Sequence, residues 1–386
     1  ICCGSRASEV TTWFDTNYHY IVPELHDQTK IRLASTKIID EFKEAFQLGV
    51  KTKPVLVGPT TFLSLAKCDE EGQSRFDYLD QLLPLYAEIF TQLAEAGCEW
   101  IQIDEPIFSL DLDNEQVAAI TKSYEFFSRN NKDLKIIVAN YFGELRDNKE
   151  LYLNLPVDAL HIDAIRGEQE LLEVCKKIPQ NKTLSIGIID GRNIWKNNYE
   201  KSLITISEAL TKIPAEQIWL APSCSLLHTP VTLVSEEKID KELKNCLAFA
   251  TEKLYELQDI RKILLKDATA LDALKANQQA LSWRSQSSRI HNQAVKDACA
   301  SLTARDSQRQ SAFDQRRIAQ QDKLQLPAFP TTTIGSLPQT SDVRRQRALL
   351  KKGSIDQVTY DEFIKKEINQ SLRFQEECGI DLLVHG

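Results

Sequence analysis

Between Val55 and Cys224 the chain alternates short, β-branched runs with amphipathic stretches, and this alternation restricts the fold more than any other feature. The runs are "KPVLVG" (53–58), "EWIQIDEP" (99–106), "LKIIVANYFG" (134–143), "DALHIDAI" (158–165), "TLSIGIIDG" (183–191) and "QIWLAPSC" (217–224). Each is apolar enough on both faces to suggest a buried parallel strand rather than a one-sided antiparallel one. Their starts lie 24 to 46 residues apart, room for a crossover helix every time. The helix before "EWIQIDEP" is plain, because Leu79, Leu82, Leu83, Tyr86, Ile89, Phe90 and Leu93 recur at helical spacing before Gly97. Six consecutive β-α units predict an α/β fold, most of a (β/α)8 barrel. A doubly wound sheet is the competing arrangement.

Polar residues punctuate the ends of these runs: Asp104-Glu105-Pro106, Asn140-Tyr141, His161 with Asp163, Asp190 with Arg192-Asn193, and Ser223-Cys224. Barrel enzymes place their sites at the C-terminal ends of strands, so five such ends in succession predict a working face. Capping of the following helices is the plainer alternative for any one of them. Asp104 and Glu105 have the composition of a general acid/base pair.

No Gly or Pro occurs from Val231 to Leu326, a stretch rich in Ala, Leu, Lys, Glu and Gln. It predicts helices, with a continuous apolar stripe over 242–265 and a polar break near 285–292. After it, "FPTTTIGSLPQT" (329–340) reads as the opening strand of a further domain with its first turn. A helix over 360–379 and a strand over 380–386 follow.

Net charge of −8 without a basic run argues against nucleic acid as partner, and no apolar run reaches the roughly 18 residues of a membrane span. Nine cysteines without regular spacing, and without CxxC or His-x-Cys, argue for a reducing, cytoplasmic setting and against a structural zinc site. Met is absent even at position 1, so either the sequence is a piece of something longer or its methionines have been lost or replaced.

Several stretches together resemble cobalamin-independent methionine synthase: "WFDTNYHYIVPE" (13–24), "KPVLVGPTTFLSLAK" (53–67), "WIQIDEP" (100–106), "GIIDGRNIW" (187–195), "PSCSLLHTPV" (222–231) and "FPTTTIGSLPQT" (329–340). The resemblance implies a methyltransferase that moves a methyl group from 5-methyltetrahydrofolate, as its polyglutamate, to homocysteine, giving methionine without cobalamin. It implies two (β/α)8 barrels joined by a helical linker. On that pattern residues 1–235 are a folate-side barrel lacking its first two strands, 236–326 the linker, and 327–386 the first two strands of the catalytic barrel. The family's zinc ligands, a His-x-Cys pair, a Glu and a further Cys, have no counterpart here, so no metal ligand is assigned and the segment alone is expected to be inactive. A non-catalytic barrel that binds folate tails or a partner protein is the alternative.

The same resemblance implies that Ile334, Gly335 and Ser336 hold the amino-acid end of homocysteine. Glycine suits such a place because the backbone can approach a ligand closely and adjacent N–H groups can cradle a carboxylate. Where the family has a Lys before the Trp of "WFDTNYHY", this chain has Thr12, which loses a charge-assisted contact to the polyglutamate tail. Asn17 and His19 are further candidates for that tail. Cys224 and His228, four apart in "CSLLH", could meet one metal only if the segment were helical, and two ligands make a poor site.

Overall fold

The structure is a computed structural model that describes residues 8–68, 73–131, 133–335 and 337–385. It divides into two compact units between His291 and Asn292.

The first unit opens with an antiparallel ribbon, β1 (Val10–Thr12) on β2 (His19–Ile21), followed by β3 (Glu24–Leu25) and helix α1 (Lys37–Gln47). Next come β4 (Val55–Val57), α2 (Pro59–Ser64), β5 (Lys67–Cys68), which pairs with β3, and α3 (Leu79–Glu95). Strand–helix pairs then repeat: β6 (Trp100–Asp104) and α4 (Asn114–Asn130), β7 (Lys135–Ala139) and α5 (Lys149–Leu153), β8 (Ala159–Asp163) and α6 (Leu171–Lys177), β9 (Thr183–Ile189) and α7 (Tyr199–Leu210), and finally β10 (Ile218–Pro222).

All six runs singled out in the sequence form strands of one parallel sheet, in the order β4-β6-β7-β8-β9-β10. A doubly wound sheet reverses direction at a switch point, and this one never does. It also curls. Trp100 on the second strand and Trp219 on the sixth have ring centroids 4.7 Å apart. Four strand spacings in a flat sheet would separate them by about 19 Å. The sheet is therefore rolled into most of a barrel, as expected.

Helix α3 seals its outer surface. Leu79, Leu83, Phe90 and Leu93 are buried at helical spacing, and the Tyr86 hydroxyl donates to the Val57 carbonyl at 2.5 Å.

The chain continues through α8 (Lys241–Lys244), α9 (Ala250–Leu264) and α10 (Leu271–Gln286). The apolar stripe over 242–265 is not one helix. Residues 245–249 leave the helical path so that Leu247 can bridge Trp195, and Phe249 buries its ring with Leu233 and Leu247. Helix α9 restarts there, with the Glu252 carboxylate accepting from the Phe249 N–H at 3.1 Å. It packs on β10 and α7, burying Lys253, Glu256 and Ile260.

In the second unit, α11 (Gln293–Ala300) and α12 (Phe313–Leu324) precede α13 (Ser341–Lys351) and α14 (Gln357–Glu377). The two strand-like runs that flank α13 and α14 meet in parallel through a Thr332–Leu382 bridge. Asp381 accepts from the N–H and hydroxyl of Thr331, both at 2.8 Å. The Gln375 amide both donates to the Val384 carbonyl and accepts its N–H. One parallel bridge thus joins the two runs across a helical crossover, and among the described residues neither run extends into a regular strand as the sequence suggested.

Candidate functional site

The six strands are not equally apolar on both faces, which corrects the sequence expectation. Ile101, Ile103, Val138, Leu160, Ile162, Leu184 and Ile186 face outward and are buried beneath the helices. The alternate positions, Gln102, Asp104, Ala139, His161, Ser185 and Ala221, face inward. Most of these inward residues are small or polar and the rolled sheet has six strands, so a cavity of about 690 Å³ remains inside it. Trp13, Tyr18 and Tyr20 from the β1–β2 ribbon, together with His228, line it as well.

One wall is a hydrogen-bonded chain. The Lys53 ammonium donates to Gln102 Oε1 at 2.6 Å, Gln102 Nε2 donates to Asp104 Oδ1 at 2.7 Å, and the Tyr141 hydroxyl donates to Asp104 Oδ2 at 3.0 Å. Burial raises the Asp104 carboxyl and lowers the Lys53 ammonium from their ordinary pKa values. Beside them His161 has Nδ1 at 2.9 Å from the Ser185 hydroxyl and Nε2 at 3.3 Å from the Ser223 carbonyl. The carbonyl can only accept, so Nε2 carries the proton and Nδ1 accepts from Ser185. Burial holds this ring neutral, with its pKa lowered to about 4.

Most of the other polar strand ends tie down loops. Glu105 is fully buried and accepts from the Thr60 and Thr61 N–H groups and the Thr61 hydroxyl at the start of α2. Burial nevertheless pushes its carboxyl up to about 7. Gly58 permits this contact, since a Cβ there would lie 2.1 Å from the Glu105 carboxyl. Asp163 accepts from the N–H groups of Phe142, Ile165 and Arg166. Asp190 accepts from Arg192 N–H and Asn193 Nδ2, and the Ser223 hydroxyl accepts from Gly191 N–H.

The ribbon is pinned over this end of the sheet by a carboxylate the sequence reading did not single out. Asp15 accepts from Arg166 and Arg192, each at 2.7 Å. The two guanidinium groups hold its carboxyl below the ordinary value despite partial burial. Arg192 also lies over the Phe142 ring at 5.0 Å. Separations of 151 and 177 residues gave no sequence signal for this clamp.

Of the residues suggested for a folate tail, Thr12 and His19 are cross-strand partners on the ribbon, with Asn17 in the turn between them, all three exposed. In the second unit Ile334 is wholly exposed, and Gly335 has φ +78 with nothing within 4 Å of where a Cβ would sit. Ser336 lies outside the described residues. Cys224 and His228 do not share a helix, since only Leu226–His228 makes a short 3-10 turn. The Cys224 thiol is buried against Gly191 with its pKa pushed up to about 12, and the His228 ring is edge-on to Phe142 at 5.5 Å. Among the described residues no group of three or more His, Cys, Asp or Glu is placed to hold a metal ion. No helix among them is long and apolar enough to cross a membrane.

Sequence comparison agrees with this geometry. The profile of the cobalamin-independent synthase N-terminal domain matches residues 3–214, and that of the catalytic domain of the same synthase matches residues 329–386. The chain belongs to the cobalamin-independent methionine synthase family. It is 46% identical over 381 residues to a 5-methyltetrahydropteroyltriglutamate–homocysteine methyltransferase of Xylella fastidiosa (strain M23), covering 99% of this chain and 50% of that protein. A namesake from Mesorhizobium japonicum is 44% identical over 384 residues with the same coverage. The chain thus spans about half the length of the curated relatives it matches. Among solved structures, a B12-independent methionine synthase from Shewanella sp. W3-18-1 aligns at 18% identity and TM-score 0.49, over 68% of this chain and 76% of that one.

Proposed function

We propose that this methionine synthase segment is part of a methyltransferase that moves a methyl group from 5-methyltetrahydrofolate polyglutamate to homocysteine, and that the segment alone does not turn over. The observation that carries the reading is the ordered match of residues 3–214 to the family's N-terminal domain and 329–386 to its catalytic domain. Functionally we divide the chain as 1–235 on the folate side, 236–326 as the helical connection and 327–386 as the start of the catalytic part.

In this reading Ile334, Gly335 and Ser336 receive the amino-acid end of homocysteine. The left-handed Gly335 and the open space beside it support that role, because a carboxylate can reach the turn's backbone N–H groups without meeting a side chain. Thr12, Asn17 and His19 contribute hydrogen bonds to the glutamate tail. Zinc in the family makes the homocysteine sulfur nucleophilic by binding it as thiolate. The Cys224 thiol, buried with its pKa pushed up to about 12, makes a poor ligand for that ion, so no step is routed through Cys224 and His228. We place the protein in the cytoplasm, a setting supported by free thiols at Cys68, Cys98, Cys175, Cys224, Cys246, Cys299 and Cys378.

The test is transfer of a labelled methyl group to homocysteine by the 386-residue chain beside a relative of full length. Label in methionine from the relative only is expected. Labelled methionine from the 386-residue chain overturns the statement that it does not turn over. A second reading, a barrel that binds folate tails without chemistry, draws on the exposed Thr12–His19 pair. It predicts a melting temperature raised by folyl-triglutamate, and an unmoved melt counts against it.

A further inference from the structure

The cavity inside the first unit holds a base and an acid that do not touch. Lys53 and Asp104 both line it, and the structure keeps them one amide apart: Gln102 accepts from the ammonium with its oxygen and donates to the carboxylate with its nitrogen. Direct pairing would be the simplest way to offset the burial of two charges. Here each is left with capacity to spare. An ammonium has three donors, of which Lys53 uses one on Gln102, and a carboxylate has about four acceptor sites, of which Gln102 and Tyr141 take two.

The bridging amide shows what fits beside it. It presents an acceptor to Lys53 and a donor to Asp104 across a short covalent span. The backbone of a free α-amino acid presents the same two functions over a similar span, with full charges in place of dipoles. An anion alone would leave Asp104 uncompensated, a cation alone would leave Lys53 so, and a neutral molecule would neutralise neither. Neutral His161 adds no charge to bias the choice. The rest of the wall mixes polar groups such as Ser185, Ser225 and His228 with apolar ones, of which Val55, Val57, Leu226 and Tyr20 offer a surface for a hydrocarbon or thioether side chain.

We propose that the cavity of the first unit binds a small zwitterionic α-amino acid with an apolar side chain, its carboxylate on Lys53 and its ammonium on Asp104. This site goes beyond the methyl-transfer reading. It is built entirely on the first unit, whereas that reading places homocysteine at the Gly335 turn.

The test is calorimetric titration of the 386-residue chain with L-methionine as probe, compared with methioninol, which lacks the carboxylate, and N-acetyl-L-methionine, which lacks the ammonium. One saturable site for L-methionine is expected, with each analogue weaker by about tenfold or more. Lys53→Met and Asp104→Asn are expected to weaken L-methionine to a similar degree, with far-UV circular dichroism confirming that each variant is folded. The analogue series needs no substitution, so it decides the matter even where a variant does not fold. Absence of saturable heat at millimolar L-methionine overturns the proposal, as does equal binding of all three probes. Heat that survives Lys53→Met but vanishes in Gly335→Val assigns binding to the turn and also overturns it, while favouring the Gly335 site of the methyl-transfer reading.

Discussion

On the outer face of the six-stranded sheet Ile101, Ile103, Leu160 and Leu184 lie sealed beneath helices, whereas on the inner face Lys53, Gln102, Asp104, His161 and Ser185 surround a cavity. Both faces belong to the same strands, one residue apart in sequence. The outer face gains by removing hydrocarbon from water, and its geometry is set by close packing. The inner face gains little from burial and is held instead by hydrogen bonds that satisfy otherwise costly polar groups. The difference teaches that stability and chemistry are divided between two alternating registers of one sheet.

Truncation on the two faces gives the sharpest contrast. Leu160→Ala should cost about 2–5 kcal/mol, since no neighbour can collapse into the space under the helices. Val55→Ala, half-exposed on the cavity side and without a hydrogen bond to lose, should cost well under half as much. Urea midpoints of the two variants measure this, and equal losses would break the distinction.

Titration probes the buried acids against the buried base. Glu105 and Glu256 have folded pKa values raised to about 7 from 4.5, so their contribution to stability is fully present below 4.5 and is lost as pH rises through 7. His161 has its folded pKa lowered from 6.5 to about 4, so its contribution is present above 6.5 and is lost as pH falls through 4. The two effects oppose each other in the mildly acidic range. Glu105→Gln removes one acid, so between pH 7 and pH 5 the variant should gain on acidification ~2 kcal/mol less than the parent. Parallel pH profiles for the two proteins would show that Glu105 does not titrate in that window.

The Asp15 clamp is partly exposed, and its loss should be smaller. Asp15→Asn weakens two ion pairs that are each worth about 0.2–1 kcal/mol at such exposure. Global stability should barely change, while amide exchange across Val10–Ile21 should quicken. Unchanged exchange there would mean that Trp13 and Phe14 hold the ribbon without it. The smallest expected effect concerns Thr12, exposed opposite His19. Thr12→Lys restores a cation to the ribbon and should tighten folyl-triglutamate by a few-fold, more at low salt than at high. Indifference of the affinity to salt would exclude a charge contact at that position.

The strands and the rolled, singly wound sheet were legible because each buried run is local and its crossovers are regular. The inner register was legible too, in the alternation of "WIQID" and "LHID", but the β-branched content of the runs as a whole obscured it. The break at 245–249 was not, because helix propensity there yields to a bridge between Leu247 and Trp195, 52 residues earlier. Neither was the role of Lys53, which looks like a surface residue ahead of a strand until its side chain is followed to Gln102.

The sequence by itself determined the order of elements, the parallel sheet and the family, since these follow from periodicity and from contiguous motifs. Only the tertiary structure decided that Glu105 serves a helix while Asp104 faces a cavity, and that Asp15 joins Arg166 to Arg192. Adjacent residues on a strand point to opposite faces, and residues more than 150 positions apart meet only once the sheet has curled, so neither outcome has a local signature.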